Sequence, residues 1–297
     1  MTPERLDLLG TGILALAGLL LALLLVHHRV QHPLLGIVVR WLRWLLFGLG
    51  LGFIFYEQHW TDRPFWVLAV AGLGLWFLLE TGYTWLMVKA LSRSDIPLFP
   101  AFRINERGDE WPSDRSSILL REYLRSEGFQ KQASLQADVG PGLMLRSSVF
   151  DQPDEGLRLQ VLFIPRRNDA VVSCFILTTE LEDDRRVITD NVFLPFGGYY
   201  PDNWELDRRP LRRRLPGLLK LHRQRVKATG VATRKPEAAV LDALNDQQRL
   251  LEKINTRAGF LFPRAERETS GKITQSGLTR IWMEIWLLNY FGRPVSY

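Results

Sequence analysis

Three stretches near the start of the chain are apolar on every side of a helix. Leu8 to Val26 is nineteen residues without a charge, Leu34 to Tyr56 is twenty-three with Arg40 and Arg43 near its start, and Pro64 to Val88 is twenty-five in which Glu80 alone is charged. About 20 such residues, rising roughly 1.5 Å each, cross a bilayer, so each run predicts a membrane-spanning helix. The first run reads as a span and not as a cleaved secretory leader. Its leading end is not clearly cationic, and His27, His28 and Arg29 follow it in place of a small-residue cleavage site.

Beyond the third run the pattern changes twice. Pro97, Pro100 and Pro112 lie among polar residues and make 91–113 an extended linker. Ser113 or Asp114 can cap a helix running to about Ser126, with Gly128 stopping it. Apolar residues then recur at every second position, as in Leu143, Leu145, Val149 and in Leu157, Leu159, Val161, Phe163. Turn formers at Asp138–Gly142, Gln152–Gly156, Pro165–Asp169 and Glu182–Arg185 separate these runs at hairpin spacing, which predicts strands near 130–138, 143–150, 157–164, 170–181 and 186–193. From Arg208 the period is helical again. Leu215, Leu218, Leu219, His222 and Val226 share a face between Pro216 and Gly230, and Val240, Leu244, Gln247, Leu251, Ile254 and Ala258 form a short heptad-like seam. That seam is too short for a coiled coil and is expected to pack on the sheet. The fold class is therefore α+β: a three-helix transmembrane region over 1–90, the linker 91–113, and a domain over 114–297 with an antiparallel meander sheet and about four helices.

Charge divides the chain at the same place. Residues 1–89 hold six basic and five acidic side chains, which leaves 32 and 27 for the rest. Such a charge density excludes a wholly intramembrane transporter fold. Orientation follows from Lys and Arg in the short connections. Arg29, Arg40 and Arg43 flank the first, Arg63 alone marks the second, and Lys89 and Arg93 follow the third run. The consistent solution has the N-terminus outside and the C-terminal domain in the cytoplasm. Counting from the outer edge, Glu80 lies about 22 Å deep, and Arg40 and Arg43 about 24 and 20 Å. An unpaired charge inside a span costs roughly 2.5–3.5 kcal/mol on insertion scales, so Glu80 is expected to face Arg40 or Arg43 across the second and third spans. A proton relay at Glu80 would need further polar groups along a path, and only Thr81, Tyr83 and Thr84 lie near it on that span. Gly48 and Gly52, and Gly18 with Ala22, mark small-residue faces that serve a three-helix bundle or a homo-oligomer equally well.

Few residues offer chemistry. Cys174 is the single cysteine, and His222 is the one histidine of the C-terminal part, so no metal cluster of ordinary ligands and no cofactor is expected. Gly197–Gly198 lacks the Lys-Ser/Thr of a phosphate loop. Two surfaces remain. Arg208 to Pro236 carries eleven basic residues and no acid, and Arg212, Arg213, Arg214, Lys220, Arg223 and Lys227 are its candidates for contact with anionic lipid headgroups. Its bland alternative is a solvated face paired with acids such as Asp242, Asp246 and Glu252. Nucleic acid is disfavoured as a partner, because no aromatic residue occurs from Glu205 to Gly259 to stack on bases. The second surface is the run Leu278 to Phe291, where Trp282, Trp286 and Tyr290 are candidate interface anchors, either covering the sheet or lying among headgroups.

The strand meander, the helix around Leu221-His222-Arg223, the turn Leu261–Pro263 and the helix Thr274–Trp282 together resemble, loosely, bacterial membrane proteins of unassigned function. The resemblance covers about two thirds of the chain, implies a bacterial inner-membrane location and carries no functional residue over. The expected role is a membrane-anchored binding or scaffold protein whose partners are the bilayer and either anionic lipid headgroups or a membrane protein. The alternative is an enzyme acting on a membrane-associated substrate through carboxylates that no motif identifies.

Overall fold

The computed structural model describes residues 3–30, 32–108, 111–140, 142–165, 171–236 and 239–295. The turn expected at Pro165–Asp169 lies outside these beyond Pro165, and the one expected at Asp138–Gly142 is described except at position 141. The chain forms two compact units, one of Met1–Ala90 with Trp282–Gly292 and one of Leu91–Ile281 with Arg293–Tyr297.

The helical unit contains α1 (Pro3–Val30), α2 (Pro33–Glu57) and most of α3 (Phe65–Arg93), all three long and apolar enough to cross a membrane. Pro33 opens α2, where its fixed φ fits the first turn and its missing N–H costs no bond. The His32 side chain accepts the Leu34 amide at 3.2 Å. Helices α2 and α3 meet backbone to backbone at Gly48 and Gly52. A Cβ on Gly52 would lie 2.8 Å from the Ala69 nitrogen, and one on Gly48 would lie 2.6 Å from Leu73 side-chain carbons. The Trp44 indole N–H donates to the Leu73 carbonyl at 2.9 Å beside this crossing. Gly18 of α1 has open space around it instead, so the same small-residue spacing marks a contact in α2 and none at that glycine.

The second unit is α+β, built on a seven-stranded sheet in chain order: β1 (Phe102–Ile104), β2 (Gln130–Asp138), β3 (Met144–Gln152), β4 (Leu157–Pro165), β5 (Val171–Glu180), β6 (Arg186–Asp190) and β7 (Trp204–Arg208). Neighbours are antiparallel up to β6, and β7 pairs with β6 in parallel, with Ile188 opposite Leu206. The meander is thus longer than its pattern suggests by one strand at each edge. Strand β1 lies inside the Pro-containing stretch read as linker.

Period-2 alternation puts a core on each face of the sheet. Helices α4 (Arg115–Ser126) and α5 (Leu215–Thr229) cover one face, where Leu124, Leu215, Leu218 and Leu219 pack with Leu157, Leu159, Val161, Phe163, Phe175 and Leu177. Helix α6 (Val240–Arg257) covers the other through Val240, Leu244 and Leu251, against Leu135 and Val149 near one edge and Ile188 and Trp204 near the other. Asp114 caps α4 by accepting the Ser116 and Ser117 amides, and Gly230 ends α5 in the left-handed conformation. A short α7 (Arg267–Ser270) precedes α8 (Gln275–Trp286), which ends in a π-helical turn over Leu287–Phe291. The first turns of α8 belong to the α+β unit and its last, from Trp282, to the helical unit.

The parallel pair β6–β7 needs a returning connection, and the chain from Asn191 to Asn203 provides it without a helix. Asn255 of α6, fully buried, pins this loop. Its Oδ1 accepts the Tyr199 amide at 2.7 Å, and its Nδ2 donates to the carbonyls of Tyr199 and Leu251, both at 2.8 Å. Gly197 sits there at φ +68°, where a Cβ would come within 2.8 Å of the Ile281 nitrogen, so both backbone conformation and space require glycine. The aromatic loop is a small core of its own, with Phe196 against Tyr200 and Phe260, and Arg280 over the Tyr199 ring at 4.2 Å.

Candidate functional site

Arg40 of α2, Trp76 of α3 and Tyr290 converge on Glu80. Arg40 Nη1 donates to Glu80 Oε1 at 3.2 Å, and the Trp76 indole N–H donates to Oε2 at 3.0 Å. The Tyr290 hydroxyl, from the terminal segment of the chain, donates to the same Oε2. Trp76 lies one turn before Glu80 on α3, where the i, i+4 relation brings the two side chains together. The carboxylate therefore has an arginine on one oxygen and two neutral donors on the other. Arg43, one turn past Arg40, points to the exposed surface of α2.

Aromatic rings surround this cluster. Tyr290 stacks on Trp286 with centroids 4.5 Å apart and meets Trp41 and Trp44 edge-on at 5.3 and 5.5 Å. The Trp41 indole donates to the Tyr290 carbonyl at 2.9 Å, and Phe77 of α3 lies 5.1 Å from Trp286. Of the three residues expected as interface anchors, Trp286 and Tyr290 are thus packed against α2 and α3, and Trp282 lies 6.2 Å from Trp286 with its indole nitrogen buried and unbonded. Depth along a helix is legible in sequence, but the approach of residue 290 to residue 80 is not. The only signal was a terminal helix too apolar to stand alone.

The basic stretch from Arg208 divides into two kinds of residue. Arg208 is buried and donates through Nε to Asp190 Oδ1 at 3.0 Å. Burial raises the Asp190 carboxyl above its ordinary range, and the Arg208 guanidinium opposes that rise. Arg213 donates to the carbonyls of Asn191 and Ser173 at 3.2 and 3.3 Å. Arg223 bridges Glu155 at 2.7 Å and Glu127 at 3.0 Å, and those bonds raise its pKa. Arg212 reaches the Gly217 carbonyl at 3.3 Å from an exposed position. Arg214, Lys220 and Lys227 are exposed, and the last two lie seven residues apart on one face of α5. The acids that engage this stretch come from α4, the sheet and its turns. Asp246 and Glu252 pair elsewhere, with Arg249 and with Arg264 and Arg267.

His222 lies between two hydroxyls on the α5 side of the sheet. Its Nε2 is 3.0 Å from Thr179 Oγ1 and its Nδ1 2.9 Å from Thr189 Oγ1. Arg225 also donates to Thr189 Oγ1 at 2.7 Å, so this hydroxyl joins the imidazole to the guanidinium. Burial, with Arg225 and Arg223 nearby, pushes its pKa down to about 3, so the ring is neutral at physiological pH. Cys174 is buried on the opposite face. Among the described residues no group of three or more His, Cys, Asp or Glu side chains is placed to hold a metal ion.

No protein-family model matches this chain, and no curated protein and no solved structure matches it either.

Proposed function

We propose that the chain is a multi-pass inner-membrane protein that holds an α+β binding or scaffold domain against the cytoplasmic leaflet, where the exposed basic face of α5 meets anionic headgroups or an acidic surface of a membrane protein. What carries this reading is that the α+β unit is bordered on both sides by chain belonging to the apolar helical unit. It starts at Leu91, within the continuous helix α3, and it gives way at Trp282, within the continuous helix α8. A domain so bordered stays near the bilayer, where each basic group reaching an anionic surface contributes about 1 kcal/mol before screening. Arg214, Lys220 and Lys227 are the exposed candidates.

Binding is favoured over catalysis because the inward carboxylates of the sheet and α6 are held by arginines. Asp151 takes a two-pronged bond from Arg158 at 2.8 and 2.9 Å, Asp190 is held by Arg208, and Glu252 by Arg264 and Arg267. Carboxylates so engaged are poor general bases.

The orientation is tested with Lys220→Cys, since the native Cys174 is buried. A membrane-impermeant maleimide is expected to leave the variant unlabelled in intact right-side-out cells and to label it after permeabilisation. Labelling of intact cells would reverse the assigned topology.

A further inference from the structure

A second basic surface, away from the α5 face, lines a cleft of about 410 Å³ beside α6. Arg249, Lys253 and Arg257 recur every fourth residue and so stack along one exposed stripe of the helix. Like charges at this spacing disfavour the helix, so the stripe is not there for helix stability. Asp246 relieves Arg249, whereas Lys253 and Arg257 have no acidic partner among the described residues.

Arg264 and Arg267 form the facing wall, and they are held in place. Glu252 accepts Arg264 Nη2 and Arg267 Nη1, each at 2.7 Å. Arg267 also donates to the Phe262 carbonyl at 2.8 Å and to Thr256 Oγ1 at 3.4 Å. The bonds from Arg264 and then Arg267 hold the Glu252 carboxyl below its ordinary range, so it is ionised and spoken for. The cleft therefore presents five cations against two acids that are already used, Glu252 on Arg264 and Arg267 and Asp246 on Arg249. Arg264 and Arg267 use their forks on Glu252, Phe262 and Thr256 and so supply fixed positive charge, while the exposed Lys253 and Arg257 are left to donate to phosphate oxygens, and the volume falls in the range of small-ligand sites.

We propose that this cleft binds a phosphate-bearing ligand of at least two negative charges, supplied either by a soluble phosphorylated small molecule or by a phosphomonoester lipid headgroup. The site goes beyond the membrane-facing role of α5 and does not depend on it.

The full chain in phosphatidylcholine nanodiscs, titrated with inorganic pyrophosphate in a calorimeter at low salt, is expected to bind it saturably at one site. Lys253→Glu with Arg257→Glu should weaken binding at least tenfold, while Lys220→Glu, a reversal on α5, should leave it unchanged. Both replaced side chains are exposed, and thermal melting verifies the fold; if the double variant melts early, Lys253→Gln alone replaces it, with the same direction of change expected. Repeating the titration in discs containing phosphatidic acid separates the sources. Weakened pyrophosphate binding there assigns a lipid headgroup, and unchanged binding assigns a soluble ligand. Absence of pyrophosphate binding, wild-type binding by the α6 variants, or an equal loss on Lys220→Glu would overturn the proposal.

Discussion

His222 shows how one side chain ties several strands together, and at what cost in pH range. It links Thr179 of β5 to Thr189 of β6, and Arg225 extends the network to the Ile188 and Glu205 carbonyls. Its pKa is about 3 when folded and 6.5 when exposed. Between those values the unfolded chain binds a proton that the folded chain does not, so stability is complete above pH 6.5 and falls as pH drops. The urea midpoint of the α+β unit should therefore correspond to a loss of about 2 kcal/mol between pH 6.5 and 5, at about 1.4 kcal/mol per unit. His222→Gln should be less stable at pH 7.5 and flatter across that window; an equally steep variant would show that other groups set the slope. Sequence placed His222 on the inward face of α5, since the helical period is a local property. It gave no sign of the two threonines, which reach the ring from separate strands. Asn255 was missed for a related reason: an apolar seam steps over it to Ile254, yet a buried amide there holds the loop that permits a parallel strand.

At the level of elements, the hairpin strands and the helices α4, α5 and α6 follow from period and turn chemistry, and the edge strands do not. Strand β1 is three residues long, too short for any alternation to register, and β7 is reached through an aromatic loop whose composition hides the polar alternation of Trp204–Arg208. Helix crossings follow a similar division. The spacing of Gly48 and Gly52 is visible in sequence, but Gly18 and Ala22 share it, and only the neighbouring helix separates the two cases. Gly52→Val should wedge α2 from Ala69 and lower the stability of the helical unit by about 1–3 kcal/mol, whereas Gly18→Val should change it by less than about 0.5 kcal/mol. Thermal unfolding in detergent compares them, and equal effects would remove the crossing as the cause.

For the whole molecule, the division of the chain is less simple than an apolar beginning and a polar remainder. Composition separates the two near residue 90, but residues 282–292 fold with the beginning, a pairing that no local pattern encodes. Tyr290 is the polar contact of that return. Its hydroxyl donates to Glu80 Oε2, and a hydrogen bond of this kind contributes on the order of 1 kcal/mol. Tyr290→Phe keeps the ring stack and removes the bond, so amide exchange across 282–292 should quicken markedly while exchange in β4 stays unchanged. Unaltered protection at the terminus would mean that the rings and the Trp41 bond to the residue 290 carbonyl hold it without the hydroxyl. The contact also joins residues 210 positions apart, which has a bearing on synthesis. At about 5–20 residues per second, the ribosome needs roughly 10–40 s between making Glu80 and making Tyr290. During that delay the nascent acid has Arg40 and Trp76 for company, and its coordination is completed only when translation is nearly over.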